Sequence, residues 1–72
     1  MASQPGLEQE IVDLLVRSRS IGASRDSAAV GQLIAELLDC ARRAKAAGLV
    51  FSERLLNRAA SDLRQAHPFA NP

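Results

Sequence analysis

The chain of 72 residues lacks the cross-links that stabilise many proteins of its size. It contains one cysteine, Cys40, so no disulfide can form within the chain. Together with that cysteine, its one histidine, His67, provides no recognisable set of zinc ligands. A single core of this size contributes little net stability. Association is the remaining source of stability, so we expect a protein partner, with a homo-oligomer as the simplest form.

Aromatic residues and long apolar runs are also scarce. There are two Phe and no Tyr or Trp, and no apolar run approaches the roughly 20 residues that span a membrane. The N-terminal sequence MASQPGLEQE has neither the basic patch nor the apolar segment of a secretory signal. An unpaired thiol suits a reducing compartment. We therefore expect a cytoplasmic protein that has no membrane partner.

An excess of positive charge is missing as well. Nine basic residues face eight acidic ones, which leaves a net charge of +1. Dedicated nucleic-acid binders are more often clearly basic, so nucleic acid is the less favoured partner. Eight of the nine basic residues are Arg and alanine is abundant, a composition typical of a GC-rich bacterial or phage genome.

The residues that are abundant, Ala and Leu, favour helix, and no alternating pattern or Asn-Gly turn indicates a strand. The predicted fold is all-α, a small three-helix bundle or a helical hairpin with an N-terminal helix. Residues 1–72 form one helical domain, with helices over about 5–20, 26–47 and 53–66 and an extended tail over 67–72.

The ends of the first two helices carry recognisable signals. Pro5 suits a first helical turn, and Gly22 is a candidate C-terminal stop. Ser24 or Asp26 can cap the second helix, which Gly48 then ends. Short links at both glycines predict consecutive helices that are side by side and roughly antiparallel.

The third helix has a predicted N-cap at Ser52. Phe51 and Leu56 have the spacing of a hydrophobic staple around that cap. The expected core residues, chosen by helical periodicity, are Leu7, Ile11, Leu14, Leu15, Val30, Leu33, Ile34, Leu37, Leu38, Ala41, Ala44, Leu56, Ala59, Ala60 and Leu63, with Leu55 at the edge.

The first helix carries more apolar surface than one neighbouring helix needs. Val12 and Val16 extend its apolar stripe to roughly half of its circumference, and Phe69 lies in a proline-flanked tail. Such surplus apolar residues favour contact with a partner, although they can also be covered by the third helix or by the folded domain itself. The predicted partner-binding residues are Val12, Leu15, Val16 and Phe69.

A helix-turn-helix is the alternative interpretation of the segment AKAAGLVFSERLLNRAA, residues 44–60. Ala44 and Gly48 have the spacing of the small residue and the turn glycine of that motif, although the stretch GLVFSERLL is one residue longer than its tightest form. The residue types on the outward face can contact bases or phosphates. The residues of this alternative nucleic-acid face are Arg54, Asn57, Arg58 and Ser61.

The stretch RDSAAVGQLIAEL resembles the phosphopantetheine attachment site of carrier proteins over about a dozen residues, with Asp26 and Ser27 at the matching positions. That resemblance would imply attachment at Ser27. Carrier proteins are acidic and have a much longer loop before this serine, and both features differ here. A plain helix start explains the same two residues, so we predict no cofactor.

No set of residues predicts catalysis. Cys40 borders the apolar stripe of the second helix, which is typical of a packed thiol. His67 lies at a helix end, and no Cys–His or Ser–His spacing in the sequence is typical of catalysis. Three short helices with two Phe residues build a concave site only with difficulty. We predict no catalytic, cofactor or metal residues, and a non-enzymatic interaction module: a small regulator, inhibitor, adaptor or accessory subunit.

Overall fold

The computed structural model describes residues 5–21 and 24–68. The described residues contain three helices: α1 (Pro5–Ser20), α2 (Ser27–Ala46) and α3 (Val50–Ala66). Those residues contain no strand, and all three helices contribute to one core. The predicted all-α fold is confirmed, in its three-helix-bundle form.

The boundaries of α1 and α2 follow the signals in the sequence. Asp26 is the N-cap of α2, since its Oδ1 accepts hydrogen bonds from the amides of Ala28 and Ala29, each at 3.1 Å. The Ser24 hydroxyl supports this cap by accepting a hydrogen bond from the Asp26 amide at 3.1 Å. Gly22, the candidate stop of the first helix, lies outside the described residues.

Gly48 ends α2 in the way that the sequence predicts. Its φ of 81° is in the left-handed region, which costs glycine little and other residues more. The Leu49 amide donates to the Ala44 carbonyl at 2.8 Å, and the Gly48 amide donates to the Lys45 carbonyl at 3.0 Å. These two bonds form a Schellman motif, which satisfies carbonyls at the end of the helix.

The predicted start of α3 is wrong. The helix begins at Val50, with Leu49 as an N-cap that makes no side-chain hydrogen bond, so Ser52 lies in the first turn instead of capping it. Phe51 is 74% exposed and forms no staple around a cap at Ser52. The physical reason is the preceding motif: Leu49 packs against the core directly after Gly48, and its carbonyl already accepts from the Glu53 amide at 2.9 Å.

Replacing Gly48 with alanine is expected to lower the free energy of unfolding by about 1 kcal/mol, because alanine is strained at a positive φ. No atom would crowd the new Cβ, so the destabilisation comes from backbone strain and not from a steric clash. Gly6→Ala is the matched control, since Gly6 is helical and equally uncrowded; it should stabilise the chain or leave it unchanged. Urea unfolding monitored by circular dichroism measures both, and equal effects would contradict the assignment.

The core is organised around α2, which packs more extensively against α3 than α1 packs against either helix. Every predicted core residue, apart from the edge residue Leu55, is buried or packed against the buried cluster. Cys40 belongs to that cluster, whereas Leu55 is on the surface. The buried hydrophobic residues are Ile11, Leu14, Val30, Leu33, Ile34, Leu37, Cys40, Ala41, Ala44, Leu56, Ala60 and Leu63.

Two ion pairs connect α1 to α2 on the side away from α3. Arg43 binds Glu10 with both terminal nitrogens, one of them at 3.0 Å, and Arg17 Nη1 lies 3.3 Å from Glu36 Oε1. Arg43 Nε also contacts Asp39 Oδ2 at 3.1 Å, which adds an ion pair within α2. Arg17 follows Glu10 by seven residues on α1, whereas its partner Glu36 precedes Arg43 by seven residues on α2. The order of the paired residues is reversed, so α1 and α2 are antiparallel.

The stability of the fold should depend on pH through Glu10. Its hydrogen bonds to Arg43 hold the pKa of this carboxyl below its ordinary value in the folded chain. A lowered folded pKa gives stability that is present above the unfolded pKa and lost as the pH falls through the folded value. Unfolding free energies from about pH 6 to about pH 3 should therefore fall less steeply in Glu10→Gln than in the native chain; parallel curves would contradict the role of this pair.

Candidate functional site

An apolar groove runs between α1 and α3 and has a volume of about 600 Å³. We call it the α1–α3 groove. Helix α1 provides one wall and α3 provides the other, and buried Leu63 and half-buried Leu15 connect its base to the core. The residues that line it are Val12, Leu15, Val16, Ser18, Arg19, Leu55, Arg58, Ala59, Asp62, Leu63 and Ala66.

The walls of the groove carry apolar side chains that the fold leaves uncovered. Val12 is 54% exposed, Val16 is 58% exposed and Leu55 is 40% exposed. Single exposed apolar residues are ordinary on protein surfaces, but here three of them share one concavity with a base that belongs to the core. The groove is therefore a continuous apolar surface that a second molecule can cover.

The rim of the groove is polar and carries both signs of charge. Arg19 lies on the α1 side, and Arg58 and Asp62 lie on the α3 side. Arg58 Nε is 4.0 Å from Asp62 Oδ2, and both side chains are largely exposed, so they form only a loose pair. These charged groups are available to orient a bound molecule.

The structure brings together three of the four residues predicted to bind a partner. Val12, Leu15 and Val16 all line the α1–α3 groove, and Phe69 lies outside the described residues. The sequence placed Leu55 only at the edge of the core and missed its role as the opposite wall. Its signal was its position on the helix, one residue away from the centre of the buried stripe at Leu56.

All four residues of the alternative nucleic-acid face are exposed on α3. Two features weigh against a helix-turn-helix that reads DNA. Arg58 belongs to the groove rim beside Asp62, so the basic face is interrupted by an acid. Helices α2 and α3 also make the most extensive contact in the bundle, as the arms of an antiparallel hairpin do, whereas the helices of a helix-turn-helix cross at about 90–120°.

Cys40 lies in the core, and His67 lies at the end of α3. Cys40 is fully buried, and burial raises the pKa of its thiol, which makes it a poor nucleophile. The His67 amide donates to the Leu63 carbonyl at 2.8 Å and so caps α3. Among residues 5–21 and 24–68, no group of three or more His, Cys, Asp or Glu side chains is arranged to hold a metal ion.

The two residues that resemble a carrier attachment site lie at the start of α2. Ser27 is its first residue and is exposed, while the Asp26 carboxylate is engaged with the amides of the first turn. Capping alone accounts for the presence of Asp26 at this position.

Comparisons with protein-family models, curated proteins and solved structures found no match to this chain. No helix in the described part of the chain combines the length and apolar character needed to cross a bilayer. The α1–α3 groove is consequently the feature from which function has to be inferred.

Proposed function

We propose that this chain is a non-catalytic protein–protein interaction module that binds its partner in the α1–α3 groove. The roles that suit such a module are those of a small regulator, inhibitor, adaptor or accessory subunit. One observation carries the proposal: exposed Val12, Val16 and Leu55 line a single groove of about 600 Å³ that is continuous with the core.

Apolar burial supplies the driving force for binding. Fully covering a Val or Leu side chain contributes about 1.5–3 kcal/mol, and these three begin roughly half exposed. A partner that also covers Leu15 and Ala59 at the base of the groove buries further apolar area. Both residues lie on helices of the folded chain, so binding them adds no entropy cost for ordering a loop. The charged rim then contributes to the orientation of the partner more than to the affinity.

Site-specific photo-cross-linking in cells that naturally produce the chain tests this proposal. A diazirine-bearing aliphatic amino acid replaces Val16, which lines the groove, or Val50, which has nearly the same exposure, 55%, but lies outside it. The proposal predicts protein adducts from position 16 at much higher yield than from position 50. Equal yields, or no protein adduct from position 16, would overturn it.

DNA binding through α3 is the competing function, and its exposed residues Arg54 and Arg58 provide the test. Binding carried by phosphate contacts weakens steeply with salt and is lost when both arginines become alanine. Apolar binding in the groove should withstand both the added salt and the loss of Arg54. Cross-links from position 16 that vanish when cell lysates are irradiated in moderate salt, together with a duplex-DNA shift that the Arg54→Ala/Arg58→Ala double variant abolishes, would replace the present proposal with the DNA-binding one.

A further inference from the structure

We infer that the occupant of the α1–α3 groove is helix α1 of a second copy of this chain, packed antiparallel about a two-fold axis. This inference rests on the proposed function and specifies its partner. Charge order along the exposed side of α1 carries it, together with the apolar residues between those charges.

One stripe of α1 on the side of the groove begins with an acid and ends with a base. Glu8, Val12, Leu15 and Arg19 are spaced four, three and four residues apart, which places them on one side of a helix. Glu8 and Arg19 are exposed, and neither takes part in an ion pair within the described part of the chain. The other two members of the stripe line the groove.

The charges of this stripe face opposite charges on a second copy only when the two α1 helices are antiparallel. If α1 of the second copy runs antiparallel, Glu8 faces Arg19 of the partner subunit, and Arg19 faces Glu8 of the partner subunit. The same register sets Val12 against Leu15 of the partner subunit. A parallel pair would instead place like charges side by side, which is unfavourable. A two-fold axis repeats each contact, as isologous dimers require.

Of the three other charged residues of α1, two are paired with α2, and the third, Asp13, accepts a hydrogen bond from Gln9 of the same helix at 3.0 Å. Glu10 is paired with Arg43, and Arg17 is paired with Glu36, on the side that faces α2. The unused pair therefore lies on the side of α1 that carries the uncovered valines. Leu55 and Ala59 on α3 form the second wall against which the incoming helix can pack.

Charge reversal with mixing tests this arrangement by sedimentation equilibrium. Glu8→Arg and Arg19→Glu each turn two attractive contacts into two repulsive ones, and each should raise the dimer dissociation constant about tenfold. An equimolar mixture of the two variants should regain the native affinity, because the introduced charges then face opposite charges. The double variant E8R/R19E should also regain it. Asp13→Arg and Arg25→Glu are charge-matched controls away from the stripe and should dimerise normally.

Recovery in the mixture supports the inference and also shows that the single variants fold. A native chain that remains monomeric at the highest concentration overturns it, as does a dimer that Val12→Asp dissociates but charge reversal leaves unchanged. In either case, adducts of another protein at position 16 would leave the proposed function standing. Absence of every protein adduct at that position would remove both.

Discussion

Leu37→Ala is expected to remove most of the stability of this chain. Leu37 lies in the middle of α2 and is fully buried. Truncating a buried leucine costs about 2–5 kcal/mol, since transfer energy is lost and a cavity remains. A core in a chain this short contributes about 3–5 kcal/mol in total, so the variant should be largely unfolded or close to its unfolding midpoint at room temperature. Far-ultraviolet circular dichroism with urea titration measures the loss.

Leu55→Ala is the matched control for this change, because it removes the same atoms from a partly exposed site on the groove wall. It should cost less than about 1 kcal/mol and leave the helices intact. Similar losses of stability in the two variants would show that α2 is not the centre of the core.

Val12→Asp is expected to abolish partner binding while the fold survives. Val12 is 54% exposed, so a carboxylate at this position stays hydrated in the free chain and costs little stability. When the groove is covered, the same charge has to lose its water in an apolar setting without a partner. Affinity should fall about a hundredfold or more.

Val50→Asp controls for the introduced charge. Val50 has nearly the same exposure as Val12 but lies outside the groove, at the first position of α3. An acid at a helix N-terminus is favourable, so stability should hold or rise slightly. Binding should be native in this variant. Loss of binding in both variants would mean that negative charge in general, and not occupation of the groove, is responsible.

The helices and most of the core could be predicted from the sequence because the pattern is strongly periodic. Leu33, Ile34 and Leu37 repeat at helical spacing on α2, and Asp26 and Gly48 are residue types that physically start and stop helices. These signals are local, so a single sequence contains them in full.

The start of α3 could not be predicted from local signals because a tertiary contact decides it. Ser52 and Phe51 have the pattern of a cap and a staple, but Leu49 packs against the core directly after the motif at Gly48. Once Leu49 is fixed, the helix begins at the next residue. The side-chain signal at Ser52 is worth about 1 kcal/mol, a value that partial burial of a leucine matches.

Only the α1 wall of the α1–α3 groove could be predicted from the sequence. Val12 and Val16 are conspicuous because α1 has more apolar surface than one neighbour covers. Which side of α1 faces α3, and hence that Leu55 completes the groove, depends on how the helices pack. The ion pairs of Glu10 and Arg17 with α2 help to set that orientation, and they join residues far apart in the sequence.

The most direct test of the groove as a protein-binding site is the yield of photo-cross-linked protein from position 16, compared between the native background and Val12→Asp. Val12 and Val16 both line the groove. A partner bound there therefore contacts the probe at position 16 and is weakened by the charge at position 12. We expect an abundant protein adduct in the native background and at least a roughly tenfold lower yield in Val12→Asp, with unchanged helicity. Equal yields in the two backgrounds would contradict binding in the α1–α3 groove.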